Sequence, residues 1–393
     1  MKTISHHILL LLITVLFAGA LITSCDDEDD GTPVIHYVRV TNPEKSDSLL
    51  TGAYMGNLIA IVGENLGDVQ ELWFNDQQAN LIPTYITDNA ILVTVPSSVP
   101  DEITNTMLLI FSDGRELLYD FSVNIPAPVL STISCEYVPD GGSVILTGDY
   151  FFNPTVIFPG DVEAKILEVT KTQLEVEVPA GTGSGPIVVK TKFGKTTSSF
   201  FFRDSRGVIL DFDTKMGAGW RPGNVQSTNP DGASGNYVAL TGELKADWDW
   251  VDNYLEMDFW GQASGNPEGP LFKGNPADMV FKFEVNVVND WTGGWMQLIF
   301  SPWSNDGNTV NSDESIARAL WRPWEETGSF KTDGWITVSI PLTEFKYNHT
   351  MTKDDLSLVY PDNCGSLTIF VWGLVPEPCD LLICIDNVRI VPE

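Results

Sequence analysis

Residues 56–100 read "GNLIAIVGENLGDVQELWFNDQQANLIPTYITDNAILVTVPSSVP", and residues 141–185 read "GGSVILTGDYFFNPTVIFPGDVEAKILEVTKTQLEVEVPAGTGSG". The two stretches share one plan. Each begins with an alternating apolar run that ends in a glycine and an acid, Gly63-Glu64 and Gly148-Asp149. A second apolar run follows, then a turn, then a third run closing on Val-Pro at 95–96 and 178–179. Each is continued by a further strand pair, "TMLLIFSDGRELLYDFSV" from Thr106 and "GPIVVKTKFGKTTSSFFF" from Gly185. Period-2 alternation in runs of four to eight residues, punctuated by Gly, Pro, Asn and Asp, is the signature of strands half-buried in a sandwich. No stretch carries a long amphipathic helix pattern. The repeat therefore predicts two small β-sandwiches in tandem.

The repeat resembles the IPT/TIG family of immunoglobulin-like sandwiches over residues 33–203, with copies at 33–125 and 126–203. Each copy has the size usual for that architecture. Pro126-Ala127-Pro128 reads as a stiff joint, because proline fixes φ and restricts the residue before it. The first two modules carry one tryptophan, Trp73, and are expected to act as spacers, with a partner-protein contact as the alternative.

The N-terminus sets the compartment. Lys2 precedes an apolar run from Ile8 to Ile22, too short for a membrane span of about 20 residues and suited to a signal-peptide core. Ile22-Thr23-Ser24-Cys25 resembles a bacterial lipobox, which implies removal of residues 1–24 and lipidation of Cys25. The alternative is an ordinary secretory signal with an unrelated cysteine. The acidic tether at 25–32, "CDDEDDGT", is solvated, since like charges repel and nothing there can be buried. Acidic runs in this position resemble those of surface lipoproteins in glycan-foraging Gram-negative bacteria, which implies export to the outer face of the outer membrane.

A formal net charge of −31 excludes nucleic-acid binding by phosphate neutralisation and disfavours anionic polysaccharides. The four cysteines after Cys25 form no CxxC pair. Cys364 with Cys379 or Cys384 could bridge in an oxidising compartment, and small buried thiols fit equally well. His36 and His349 stand at no ligand spacing from a cysteine, so no zinc site is expected.

Eleven of the twelve tryptophans follow residue 204. Building a core does not require that segregation, because the first two modules manage with Val, Ile, Leu and Phe. Strand-like runs from "GVILDFD" to "LLICIDNVRIV" predict a larger jelly-roll-type β-sandwich over 204–393. The whole chain thus reads as all-β: two immunoglobulin-like sandwiches and then a larger one.

Alternation assigns faces within this module. In "WMQLIFSPW", Met296, Leu298 and Phe300 face a core, while Trp295, Gln297, Ile299 and Ser301 face the other way, with Trp303 continuing their parity. In "YLEMDFWG", Leu255, Met257 and Phe259 are core-like, and Tyr254, Glu256, Asp258 and Trp260 oppose them. Aromatics mixed with hydrogen-bonding groups suit a neutral sugar. The indole offers a flat apolar plate to the C–H face of a pyranose, and polar groups meet the hydroxyl rim. The candidate ligand-binding set is Trp250, Trp291, Trp295, Gln297, Trp303, Trp321, Arg322 and Trp324. In "ALWRPWEE", Trp321 and Trp324 face opposite ways unless Pro323 bends the chain. Arg322 either bonds sugar hydroxyls or pairs with Glu325 or Glu326 over a half-buried tryptophan. Trp248 lies in an acidic loop, Trp335 opens a strand, and Trp372 is expected in the core.

Taken together, the lipobox, the repeats and the phrases "DWDWVDN", "GGWMQLIFSPW", "ALWRPWEE", "GWITVSIPL" and "IDNVRI" resemble surface glycan-binding proteins of polysaccharide-utilisation systems, of the type with a xyloglucan-binding C-terminal domain. That resemblance implies a non-catalytic outer-membrane lipoprotein. It implies capture of a hemicellulose such as xyloglucan, mixed-linkage glucan or mannan, beside a glycan transporter and an endo-hydrolase. No cofactor is expected. Calcium, if bound near "DFD" or "IDN", would be structural. Two other classes stay open: an adhesin for host protein or glycoprotein, and a glycoside hydrolase. The latter needs carboxylates on either side of a bond, which neighbours such as Glu256 and Asp258 or Glu325 and Glu326 supply poorly.

Overall fold

The computed structural model describes residues 31–45, 47–216, 224–245, 247–248, 255–261, 268–304, 312–375 and 377–393. These are organised almost wholly as antiparallel strands, with four single-turn 3-10 helices. The chain divides into two compact units, Met1–Pro126 and Ala127–Glu393.

In the first unit, one sheet runs in the order Leu49–Leu50, Val34–Val40, Leu58–Glu64, Ala90–Thr94, Ile86–Thr87. The facing sheet runs Glu116–Asp120, Thr106–Phe111, Val69–Phe74, Gln77–Gln78. The alternation in "TMLLIF" puts Met107, Leu109 and Phe111 inside against Ile59, Ile61, Leu72 and Phe74. Val95 of the Val-Pro signal is wholly buried.

The second unit opens with a sandwich of the same plan. Val129–Ile133, Ser143–Asp149, Gln173–Glu177 and Lys165–Val169 form one sheet. Val162–Glu163, Thr155–Phe158, Gly185–Thr191 and Gly194–Phe202 form the other. The repeated glycine has the same steric cause in both copies. The pairing of the first two strands is bulged, between Ile35 and Tyr37 in one copy and between Leu130 and Thr132 in the other. A Cβ on Gly63 would lie 1.9 Å from the Val34 carbonyl oxygen, and a Cβ on Gly148 would lie 1.9 Å from that of Val129. Only glycine admits this approach of backbone to backbone.

The rest of the unit is a larger sandwich of two sheets. The longer sheet runs Asn224–Gln226, Tyr237–Leu244, Cys379–Pro392, Met279–Val287, Ile336–Pro341, with Val208–Leu210 also paired to Cys379–Pro392. The shorter runs Glu256–Phe259, Ser366–Trp372, Trp295–Ser301, Arg318–Trp321. Between them lies a core that includes Phe281, Phe283, Val285, Ile383 and Ile385 from one sheet and Met257, Met296, Leu298, Phe300 and Ile369 from the other.

The four described cysteines are free thiols, so of the two readings of Cys364, Cys379 and Cys384 the unbridged one is found. Cys364 belongs to the core between the sheets, whereas Cys384 packs with Tyr237 and Ala239 on the other side of the longer sheet. Burial pushes both thiols up to about 12. The acids of the "DFD" and "IDN" phrases serve turns: Asp211 accepts from the amides of Asp213, Thr214 and Lys215, and Asp386 accepts from Ser234 and the Asn387 amide.

Candidate functional site

The shorter sheet turns its second face away from the core, and strand register orders the side chains there. Trp295 stands opposite Trp372 at one end. The next rank holds Glu256, Phe370, Gln297 and Leu320. The third holds Asp258, Thr368, Ile299 and Arg318, and Ser366 with Ser301 forms the last. The alternation expected for "WMQLIFS" and "LEMDF" is therefore the one observed. The face is a graded surface, aromatic at one end and hydroxylated at the other.

This face is nevertheless covered. Gln297 and Arg318 are wholly buried, and Trp295 is 3% exposed. The loop after Tyr347 and the segment around Glu314 lie over it. Arg318 donates from Nη1 to Gln297 Oε1 at 2.6 Å and from Nη2 to the Asp313 carbonyl. Burial lowers the Arg318 guanidinium to about 10, and it stays cationic at neutral pH. Thr368 donates its hydroxyl to Asp258. Asn348 donates to Glu314, Thr350 and Thr352, and this holds the Glu314 carboxyl below its usual range.

At the tryptophan end four rings meet. Trp248 packs edge-on against Trp295 at 5.7 Å, Trp372 at 4.8 Å and His349 at 5.7 Å between centroids. The His349 ring lies nearly parallel to Trp372 and its Nδ1 stands 3.3 Å from Glu314. Loss of hydration lowers the His349 pKa despite that carboxylate. Among the described residues, no acceptor meets the buried indole N–H of Trp295 or of Trp372. Buried indole donors ordinarily find a partner.

The sequence-predicted residues divide between different surroundings. Trp295 and Gln297 belong to this face. Arg322 borders it: Nη1 contacts Met351 Sδ at 3.0 Å, and Nε pairs with Glu325 at 3.0 Å. Of the two readings of Arg322, the pair with Glu325 is the arrangement found. Trp291 is fully buried, with its N–H satisfied by the Gly293 carbonyl, and is a core residue rather than a sugar plate. Trp321 shares the inward parity of Ala319 and caps the core, its ring against Phe283, Trp291 and Phe330. Trp324 packs on the same core and donates to the Gly294 carbonyl at 2.6 Å. The bend at Pro323 thus brings both tryptophans to the core side. Trp303 lies beyond Ser301, roughly 20 Å or more from Trp295 by strand rise. It lines a separate cleft of about 320 Å³ with Glu268, Pro270, Ser304, Pro361 and Asp362. Trp250 lies outside the described residues.

Sequence reasoning left out Trp372, Arg318, His349 and Glu314. Trp372 was placed in the core because "LTIFVW" is apolar throughout, yet Ser366 and Thr368 share its parity and mark the outer face. Arg318 shares its parity with Leu320 in the same way. His349 and Glu314 arrive on loops, and no periodicity pointed to them.

Residues 128–203 match the IPT/TIG domain family, and residues 202–392 match the surface glycan-binding protein B xyloglucan-binding domain family. An IPT/TIG domain-containing protein of Bacteroides ovatus is 31% identical over 194 residues, 48% of this chain; the match spans 37% of that relative's length. The crystal structure of the surface glycan-binding protein PbSGBP-B from Prevotella bryantii superposes with a TM-score of 0.73 at 27% identity, covering 92% of this chain and 99% of that one. SGBP-B from a complex xyloglucan utilization locus in Bacteroides uniformis shares the fold, with a TM-score of 0.52 at 17% identity, covering 92% of this chain and all of that one. Residues 128–203 thus belong to the IPT/TIG domain family and residues 202–392 to the surface glycan-binding protein B xyloglucan-binding domain family.

Proposed function

We propose that this chain captures a neutral β-linked hemicellulose at the cell surface and does not cleave it. The observation that carries the reading is the cluster of Trp248, Trp295, Trp372 and His349 rings at the aromatic end of a polar-lined sheet face, in a domain that matches a xyloglucan-binding family. An indole with an open face offers a plate on which a pyranose stacks, its hydroxyls left to polar groups around the rim. Trp248 and Trp372, both part-exposed, are the residues assigned to stacking, with Trp303 as a separate station; Trp295 and Gln297 are buried beneath them and support the face. A glucan backbone, as in xyloglucan, is favoured over mannan by the name of the matching family. Lipid at Cys25 would hold the chain on the outer face of the outer membrane, with the tether and the sandwiches at 33–125 and 126–203 as spacers. A glycan transporter and an endo-acting hydrolase are the partners that such capture would feed.

The chain from residue 26 onward is run through native gels cast with xyloglucan, barley-type β-glucan, glucomannan or galactomannan, alongside a reducing-end assay. The expected result is retardation by a glucan-backbone polymer, no new reducing ends, and about tenfold weaker binding in Trp248→Ala. Free migration in every gel overturns the reading and favours a protein-binding adhesin.

A further inference from the structure

The sandwich at 126–203 and the larger one after it meet at a buried charge cluster. Glu136 comes from the first, and Lys282, Glu284, Thr337 and Arg389 come from the second. Arg389 is wholly buried and donates to Glu284 Oε2 at 2.7 Å from Nη1 and to Glu136 Oε2 at 2.7 Å from Nη2. Lys282 Nζ reaches Glu136 Oε1 at 2.5 Å. The Thr337 hydroxyl accepts from the Glu136 amide and donates to Glu284, while its own amide donates to the Ser134 carbonyl. The Tyr137 ring lies under the Arg389 guanidinium at 5.0 Å.

Charge bookkeeping gives this seam its meaning. Among the described residues of the larger sandwich alone, Arg389 has one ion-pair partner, Glu284, and the ion pair of Lys282 is to Glu136 of the preceding sandwich. Glu136 supplies the missing charge, and it is only 3% exposed. A buried cation left without its partner is strongly destabilising, whereas a closed set of two cations and two carboxylates is tolerated. Burial raises the Glu284 pKa, and the Arg389 guanidinium against it opposes that rise.

We infer that the larger sandwich requires the preceding one as an obligate intramolecular partner, and that residues 127–393 unfold as a single cooperative body closed by Glu136. The division of the chain into compact units at Pro126, rather than near residue 204, agrees with this. The inference is independent of which glycan is bound.

Hydrogen exchange read by mass spectrometry, with calorimetry, tests it on the chain from residue 26 onward. In Glu136→Gln, exchange should rise together in Ser143–Asp149, Met279–Val287 and Cys379–Pro392, with the strands of 34–124 unchanged. The shared transition should fall by roughly 10 °C. Adding Lys282→Met rebalances the charge and should recover part of that loss. If Glu136→Gln does not fold, Thr337→Val makes a milder cut across the same seam and should give the same joint pattern with a smaller shift. Exchange rising in one sandwich alone, or separate melting of the two in the unaltered chain, overturns the inference.

Discussion

At the scale of single residues, the tryptophans show how parity and burial separate. Alternation correctly placed Trp295 and Gln297 on the non-core face, because side-chain direction is a local property of a strand. It could not place Trp321 and Trp324 against the core, since their packing depends on partners from other strands and turns, Phe283 and Gly294. Nor could it find His349, which reaches Trp372 from a loop. His349 makes a prediction of its own. Its folded pKa is lowered by desolvation, so the folded state takes up this proton less readily than the unfolded chain. The stability that neutral His349 contributes is present above pH 6.5 and is lost as pH falls below it. Glu314, Asp313, Arg318 and Lys353 are the charges around it. Stability should therefore fall as pH drops from 7 to 5, and His349→Gln should flatten that profile; urea midpoints at fixed salt across this range decide it.

At the scale of elements, the repeat was the most legible part of the sequence. Its strands, its turns and its Val-Pro stops follow from period 2 and from proline, and those rules act within a few residues. The cause of the shared glycine was hidden, because the atom it avoids belongs to another strand. Gly148→Ala should destabilise the sandwich at 126–203 by about 2–4 kcal/mol, since the added methyl meets the Val129 carbonyl and the Phe151 ring. Denaturant melts followed by exchange in Val129–Ile133 and Ser143–Asp149 would register it. A second local device gives a pH signature. Asp386 has its carboxyl pushed up to about 7 by burial, with the nearby Glu284 charge opposing the amides of Asn387 and Ser234. Its folded pKa lies above the ordinary 3.8, so this group favours folding most at low pH and progressively less as pH rises through 7. The loss amounts to up to about 4 kcal/mol. Asp386→Asn should have a flatter stability profile than the unaltered chain between pH 5 and 8, as urea midpoints at each pH would show.

At the scale of the whole molecule, the order of modules was readable because composition changes abruptly where tryptophan begins to accumulate. The grouping of modules was not. A sequence reading sees three sandwiches, and the compact units divide the chain once, at residue 126. The residues that join the second sandwich to the third are an acid, two bases and a threonine scattered over some 250 positions, and no pattern in the sequence marks them as one cluster. The pairing of Val208–Leu210 with Cys379–Pro392 adds a mechanical consequence. If the N-terminus is anchored as proposed while the last module holds a polymer, the chain between them is stretched. That load enters the module at its first strand, which is zipped to its last, and the last strand also carries Arg389, clasped by Glu136. Tension is thereby shared between backbone pairing and buried charge before it reaches the glycan face. Pulled in a force spectrometer, this protein should lose its first sandwich before the grip on its cargo loosens.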